Sequence, residues 1–286
     1  MAVGATGFFD GVHVGHRLVI ETLVSSARER GEESLIITLW PHPRLVLQNG
    51  ALDLKLLNTL DEKIDLLKGL GVDRIEVLPF TEDLSRMSTS EYLSQIVRDR
   101  FGCSAVLLGY DNRIGHDMIS PERTAVLAGE LGLDVICTDK VSSVGIAVSS
   151  TKIRRALQAG DVELASKFLC YDYRLQGEVV HGKKLGRTIG YPTANLELSE
   201  PLKLVPAAGV YLSDVSIGDR SFKGMTNIGK TIETHIFGFD EEIYGQTIGI
   251  SFVKRVRDEK SFASIDELKE QLSQDELNCK NLIFGL

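Results

Sequence analysis

Short apolar runs alternate with amphipathic stretches along the first half of the chain. The pattern predicts strands at 2–6, 35–39, 74–78, 105–108 and 134–137, and helices at 17–30, 61–70, 88–100 and 122–131. The prolines of Trp40-Pro41-His42-Pro43 end the second strand, because proline lacks an amide hydrogen and restricts the residue before it. Strands that alternate with helices at this spacing predict a doubly wound parallel α/β sheet, which binds ligands at the carboxyl ends of its strands.

The pattern changes near Tyr171. After a helical stretch over 151–169, short strand-like segments are separated by glycine turns such as Gly218-Asp219. Such frequent turns predict a small antiparallel β-barrel or sandwich. A final helix, announced by the capping box that starts at Ser264, is expected to dock on the barrel through an apolar stripe: Ile265, Leu268, Leu272, Cys279 and Ile283. We therefore predict domains over residues 1–170 and 171–286.

Composition narrows the class of protein. The chain has 286 residues, of which 43% are hydrophobic and 25% charged, as in a globular protein of two ordinary domains. A net charge of −8 argues against broad binding to nucleic acids or anionic membranes, which needs a basic face. Four widely spaced cysteines predict reduced thiols rather than a zinc site or a disulfide framework. With no signal-peptide pattern and no membrane-length apolar run, we expect a cytoplasmic monomer or weak homo-oligomer.

Two histidines stand where the first strand turns into the first helix, within Gly7-Phe8-Phe9-Asp10-Gly11-Val12-His13-Val14-Gly15-His16. A spacing of three places both imidazoles on one face of the opening turn. The helix N-terminus adds free N–H groups and partial positive charge, and Gly15 lets a phosphate approach the backbone. The motif favours attack on the α-phosphate of a nucleoside triphosphate. The alternative is a pair of loop histidines; a dinucleotide-binding dehydrogenase is disfavoured because G-x-G-x-x-G is absent.

A second set of phosphate-binding groups follows in Ser149-Ser150-Thr151-Lys152-Ile153-Arg154. Either serine can cap the helix that begins here. The hydroxyls and cations of the same turn can also bind triphosphate oxygens. The two roles are compatible, because a capping serine leaves the donors of its neighbours free.

A glycine-rich stretch in the second half, 182–195, offers a third site for phosphate. Its glycines and basic residues can fold over phosphates with their backbone N–H groups. Thr193 offers a hydroxyl to Mg²⁺, a hard ion that takes few protein ligands. The alternative is a glycine-rich hairpin with no catalytic role.

The first two motifs together resemble the HxGH nucleotidyltransferase superfamily, and the longer string G-F-F-D-G-V-H-x-G-H with S-S-T-x-I-R is similar to its flavin-adenylating branch. The resemblance covers residues 1–170. It implies that His13, His16 and Arg154 are catalytic. It further implies that Asp10 and Asp111 shape the flavin side and that ATP contacts a set of loop residues: Gly7, Phe9, Gly15, Ser149, Ser150 and Thr151.

The string G-R-x-x-G-Y-P-T-A-N, followed by P-A-A-G-V-Y, G-M-T-N-I-G and I-E-T-H, is similar to bacterial riboflavin kinase modules, which are small β-barrels. The resemblance implies that Thr193 is the Mg²⁺ ligand and that Glu233 is the general base for the ribityl 5′-hydroxyl. It implies flavin contacts at Asn227 and Arg257 and ATP contacts at Gly182, Lys184, Gly186, Arg187, Pro192 and Asn195. Glu233 as a solvent-facing strand carboxylate and Arg257 as a surface arginine are the alternatives; the role of His235 stays open.

The two resemblances imply one pathway, in which riboflavin is phosphorylated to FMN and FMN is adenylylated to FAD with Mg²⁺ and ATP. A transferase for another acceptor would leave the P-T-A-N barrel without a task. A flavin-binding sensor with degenerate loops would not need the intact pairs His13/His16 and Thr193/Glu233. The chain departs from the family pattern at Asn112 and Ile114 and between Lys230 and Thr231.

Overall fold

The computed structural model describes residues 1–47, 54–109, 113–137, 148–182 and 185–285. Contacts between residues divide the chain into two units, Met1–Ser149 and Ser150–Leu286. The division falls before the helical stretch that the sequence pattern grouped with the first domain. Within the described residues no helix is both long and apolar enough to cross a membrane.

The first unit is built on a parallel sheet. Its strands are β1 (Ala2–Gly7), β2 (Glu33–Trp40), β3 (Arg74–Pro79), β4 (Cys103–Leu108) and β5 (Asp134–Cys137). They lie in the order β3-β2-β1-β4-β5, with every pairing parallel. The predicted doubly wound architecture is thereby confirmed. The order reverses beside β1, so the carboxyl end of that strand is where this architecture binds ligands.

Helices cover both faces of the sheet because successive strand residues point to opposite sides. On one face, Ile36 packs with residues of α1 (Val14–Arg30) and α3 (Leu60–Gly69). On the other, Leu35 and Ile37 pack against residues of a π-helix (Tyr92–Arg100) and of α6 (Pro121–Glu130). Three short helices complete the described part of the unit: α2 (Pro43–Leu47), α4 (Glu82–Arg86) and α5 (Thr89–Glu91).

The π-helix differs from the single α-helix predicted over 88–100. Ser88 caps α5 with a complete capping box, as its sequence suggests, but the backbone widens after Glu91. The wider turns continue to the end of the element, where the Phe101 N–H donates to the Ile96 carbonyl. Side-chain periodicity does not distinguish the two helix types over so short a length.

The second unit opens with α7 (Ser150–Gln158) and α8 (Val162–Leu169), followed by a closed antiparallel barrel. The barrel strands are β6 (Arg174–Val180), β7 (Ala194–Leu198), β8 (Gly209–Ile217), β9 (Arg220–Ile228), β10 (Ile232–Ile236) and β11 (Thr247–Arg257), and the short helix α9 (Leu185–Thr188) lies between β6 and β7. Their order around the barrel is β10-β7-β6-β11-β8-β9. This confirms the predicted barrel.

Tight hairpins join neighbouring strands of the barrel. Strand β8 is continuous over nine residues and turns into β9 through Gly218-Asp219, one of the predicted glycine turns. Between β9 and β10 the Gly229 N–H donates to the Thr231 carbonyl at 3.0 Å, and Ile228 pairs with Ile232. A tight turn therefore joins β9 to β10 at the point, between Lys230 and Thr231, where the chain departs from the family pattern.

The C-terminal helix α10 (Ile265–Phe284) docks on the barrel as expected, capped by Ser264. Cys279 is fully buried, and Leu272 and Ile283 pack beside it against Val210 and its neighbours. The prediction for Ile265 is wrong, since that side chain is 56% exposed. It lies in the first turn, whose residues face solvent before the helix reaches the barrel.

A buried ion pair fastens α10 to β11. Both carboxylate oxygens of Asp275, which is fully buried, accept from Arg257 at 2.7–2.9 Å, and Gln271 donates to the same carboxylate at 2.8 Å. Removing one partner of such a pair leaves a buried charge without compensation, which costs far more than the pair contributes.

We expect Asp275→Ala to destabilise the docking of α10 by about 3 kcal/mol because the half-buried Arg257 would lose its charged partner. The measurement is amide hydrogen exchange of α10 and β11. Glu241→Ala, which breaks the exposed Arg220–Glu241 pair, is the matched control and should leave exchange nearly unchanged. Equal protection in both variants would contradict this role for Asp275.

Candidate active sites

The loop between β1 and α1 is held in a backbone conformation that few residues adopt. Phe9 and Val12 have φ of 53° and 38°, and Gly11 between them has φ of 85°. A β-branched residue such as Val12 in the left-handed region is strained, and such strain collects at functional sites. Phe9 is buried in the core under this loop, and the backbone of Gly7 packs against its ring.

His13 both begins helix α1 and faces His16. Its Nδ1 accepts a hydrogen bond from the His16 backbone N–H at 3.4 Å, so a neutral His13 carries its proton on Nε2. The two imidazole rings stack with centroids 3.7 Å apart and an angle of 15°. A Cβ on Gly15 would meet the His13 ring at 3.3 Å. The motif therefore places two rings and the N-terminal amides of α1 together, as the sequence predicts.

His16 is held neutral by its surroundings. Burial lowers the pKa of its imidazole well below the ordinary value, and the positive charges of His13 and Lys63 lower the pKa further. Among the described residues its buried Nδ1 has no hydrogen-bond partner. A neutral ring can donate to a phosphate from one nitrogen while the helix amides supply fixed positive potential.

Two side chains support this loop from below. The Asp10 carboxylate accepts from the backbone N–H groups of Leu57 and Asn58 at 3.0–3.2 Å, which ties the loop to the segment before α3. Lys63, only 1% exposed, donates to the Phe8 carbonyl at 3.0 Å and lies 3.9 Å from the centre of the Phe8 ring. Burial lowers the pKa of Lys63 to about 8.

Some of the predicted ATP contacts for adenylyl transfer lie far in sequence from the loop before α1. Ser149 ends the first unit, whereas Ser150, Thr151 and Arg154 belong to helix α7, which opens the second. Ser150 and Arg154 are half-buried, and the other two are exposed. Their roles remain predictions, and Asp111 lies outside the described residues.

In the barrel, two cavities meet at Thr193. One, of about 360 Å³, is lined by Arg187, Pro192 and the stretch 239–244 among others. The other, of about 270 Å³, is lined by residues of the barrel and of α10, including Asn227, Glu233 and Arg257. Thr193 lines both cavities. A group bound in one cavity can thus reach a group bound in the other across this side chain.

Glu233 stands at this junction with its carboxylate engaged by hydroxyls. One oxygen accepts from Thr193 Oγ1 at 3.4 Å, and the other accepts from Thr231 Oγ1 at 2.8 Å. The strand pairing places Glu233 opposite Asn195, so three predicted site residues converge. Glu233 is half-buried and lines the smaller cavity, and its role stays a prediction.

The glycine-rich stretch packs tightly around this junction. A Cβ on Gly182 would collide with the Asn195 side chain, and one on Gly186 would collide with the Tyr191 carbonyl. Only glycine permits these approaches. Arg187 is exposed and pairs with Glu242 at 3.5 Å, while Lys184 lies outside the described residues.

Comparison with known proteins identifies both halves of the chain. A model of FAD synthetase matches residues 1–152, and a model of riboflavin kinase matches residues 169–283. A bifunctional riboflavin kinase/FMN adenylyltransferase of Bacillus subtilis is 35% identical over 288 residues, covering 96% of this chain and 90% of its own length. The relative of the same description in Escherichia coli K12 is 32% identical over 291 residues, with 98% and 92% covered. The chain belongs to the bifunctional riboflavin kinase/FMN adenylyltransferase family.

A solved structure has the same fold over nearly the whole length. It is described as a macrolide-efflux protein from Streptococcus pneumoniae and is 30% identical. The TM-score is 0.91, with 98% of this chain and 94% of that chain covered. The predicted function, FAD biosynthesis by phosphorylation of riboflavin and adenylyl transfer to FMN, is confirmed at the level of the family. A sensor with degenerate loops is not favoured.

The structure contains several contacts at these sites that the sequence did not indicate. The burial of Lys63 beneath Phe8 has no signature in the sequence of an amphipathic helix. Arg257 was expected to touch flavin or solvent, yet Asp275 holds two of its nitrogens while the residue still lines the smaller cavity. Among the described residues no group of three or more His, Cys, Asp or Glu could hold a metal by itself.

Replacing Lys63 should raise the pKa of His16. Lys63→Met keeps the buried hydrocarbon but removes a positive charge that opposes protonation of the imidazole, so the imidazolium form becomes less costly. The measurement is an NMR titration of the His16 ring protons. Lys68→Met, an exposed change on the same helix, should leave the His16 pKa where it is. A pKa that does not move in Lys63→Met would refute the coupling.

Proposed function

We propose that the barrel carries the kinase reaction at the junction of its two cavities. The observation that carries this proposal is that Thr193 lines both cavities with the Glu233 carboxylate 3.4 Å from its hydroxyl. ATP would occupy the larger cavity, beside Arg187 and Pro192. Riboflavin would occupy the smaller one, beside Asn227 and Arg257.

In this assignment Glu233 is the general base. It takes the proton of the ribityl 5′-hydroxyl while that oxygen attacks the γ-phosphorus of ATP. The new O–P bond forms as the bond from the γ-phosphorus to the bridging oxygen breaks, and ADP leaves with the electron pair. A carboxylate half-buried beside the junction is placed to accept that proton.

We assign Mg²⁺ to Thr193 on the chemistry of the donors. The Thr193 hydroxyl is a hard oxygen ligand of the kind that Mg²⁺ takes, and the ion would keep phosphate and water oxygens as its remaining ligands. Glu233, whose carboxylate accepts from that hydroxyl, would stay available as the base. Bound with ATP, the ion supplies charge neutralisation to the phosphates. Asn195, opposite Glu233 on β7, would contact the nucleotide.

We propose that the loop before α1 carries the adenylyl transfer. A phosphate oxygen of FMN attacks the α-phosphorus of ATP. The bond between the α-phosphorus and the oxygen that bridges to the β-phosphorus breaks, and pyrophosphate leaves with the electron pair. His13 donates from Nε2, and His16 and the amides of α1 stabilise the charge that spreads over the phosphates. No covalent intermediate on the protein is needed. On sequence alone, Ser150, Thr151 and Arg154 are assigned to the same ATP.

The state of the cysteines also fits a compartment in which ATP is available. The four cysteines are free, which suits the reducing cytoplasm, and we assign the protein to that compartment. Both active centres then draw on one ATP pool, and the FMN formed by the kinase is the acceptor in the second reaction.

Single substitutions should separate the two reactions. His16→Ala should lower FAD formation from FMN by roughly 10²-fold or more, because a donor to the developing phosphate charge is lost, while riboflavin phosphorylation persists. Chromatographic separation of FMN and FAD after incubation with Mg-ATP gives both rates from one sample.

Glu233→Gln should have the opposite effect. It removes the base without changing the size of the side chain, so riboflavin phosphorylation should fall by roughly 10²-fold while FAD formation from supplied FMN continues. Glu197→Gln, an exposed change on β7 that lines neither cavity, serves as the control. Equal loss of both reactions in either folded variant would defeat the assignment of two separate sites.

A further inference from the structure

Strand β10 carries a second side chain on the same face as Glu233. Residues two apart in a strand point to the same side, and Glu233 and His235 are both half-buried between the fully buried Ile232, Thr234 and Ile236. His235 does not line either cavity. Its Nδ1 lies 2.8 Å from the Pro192 carbonyl oxygen, one residue before Thr193.

The partner atom decides the direction of this hydrogen bond. A carbonyl oxygen can only accept, so the His235 ring must carry a proton on Nδ1 and donate it to Pro192. The ring is fixed in this orientation by edge-on contacts with Tyr191 at 5.3 Å and Phe237 at 5.8 Å between centroids. The bond therefore joins a side chain of β10 to the backbone that leads into Thr193.

This bond lies just beyond the point where the pairing between β10 and β7 ends. The ladder between β10 and β7 runs from Ile232–Leu196 to Thr234–Ala194 and ends there. Pro192 has no N–H and cannot extend a ladder. Beyond Ala194, the described hydrogen bonds between β10 and this segment are the long Thr193–Glu233 bond and the shorter bond from the His235 ring to the Pro192 carbonyl.

The same segment is held from its other side by the C-terminal helix. Tyr191 packs with Leu272 and Ile283 of α10 in the cluster that docks this helix on the barrel. Tyr191 and Pro192, which precede Thr193, are thus fastened by two different elements.

We infer that His235 is a positioning residue for the kinase reaction: its Nδ1–H bond to Pro192 fixes Thr193 relative to Glu233. This inference rests on the proposed function of the barrel. The Thr193–Glu233 hydrogen bond, at 3.4 Å, is near the upper limit of such bonds, so a small shift of the Pro192 carbonyl breaks it. Misplacement of a reacting group by a fraction of an ångström lowers the rate without removing any contact to substrate.

Three substitutions of His235 test the inference. Asn places its amide N–H close to the position of Nδ1 and can still donate to Pro192, whereas Gln places its amide nearer the position of Nε2. Leu fills similar space with no donor. For each variant, kcat and KM for riboflavin and for ATP are measured together with adenylyl transfer to supplied FMN and the thermal unfolding midpoint.

The expected result is a split between the variants. His235→Leu and His235→Gln should lower kinase kcat by roughly 3- to 10-fold, the factor that one neutral hydrogen bond supplies, with both KM values within about twofold. His235→Asn should stay within about twofold of the parent kcat. Adenylyl transfer to FMN should be unchanged in all three.

Other patterns overturn the inference. Equal kcat in the Asn, Gln and Leu variants would mean that the Nδ1 donor has no role, and a loss of kcat that follows the unfolding midpoint would mean that His235 only stabilises the barrel. In the parent protein, long-range ¹H–¹⁵N spectra should place the His235 proton on Nδ1; a proton on Nε2 alone would also overturn it. Failure of the parent protein to phosphorylate riboflavin would instead count against the proposed function.

Discussion

A chain of three buried hydroxyls fixes how β10 sits in the barrel, and the kinase site depends on it. Ser213 donates to Thr226 at 2.7 Å, and Thr226 and Thr234 share a hydrogen bond at 2.9 Å, with all three residues fully buried. A slip of one residue would turn Glu233 into this interior and Thr234 out of it. Burying an unpaired carboxylate is far costlier than burying a bonded hydroxyl, so the chain holds Glu233 at the cavity wall.

The fold could be predicted because short apolar runs alternate with amphipathic stretches. In β2 the run is apolar on both faces, since Ile36 enters one core and Leu35 and Ile37 enter the other. Strand β7 begins within the motif P-T-A-N, for which the sequence pattern predicts no secondary structure. The register of the strands could not be predicted from the sequence, for a physical reason. Threonine has an ordinary strand propensity, and only the closed barrel brings the hydroxyls of Thr226 and Thr234 together.

Candidate site residues could be predicted where chemistry dictates residue type, as at His13 and His16, and not where it depends on burial. Asp10 has both oxygens on the backbone of the segment before α3, 47 residues away in sequence, which no local pattern encodes. Lys63 is a charged residue on an amphipathic helix and would ordinarily face water. It is buried instead, and the pKa values of Lys63 and His16 are lowered together.

The two sites handle phosphate by different means, which follows from a net charge of −8. Without a global positive field, each site must supply local donors. In the proposed assignment, the loop before α1 would do so with a neutral His16 and helix amides, together with Arg154. The barrel would use backbone packed against Gly182 and Gly186 and the Thr193 hydroxyl beside Glu233. Mg²⁺ bound with ATP at Thr193 would neutralise phosphate charge, so that a carboxylate and a triphosphate could occupy the same junction.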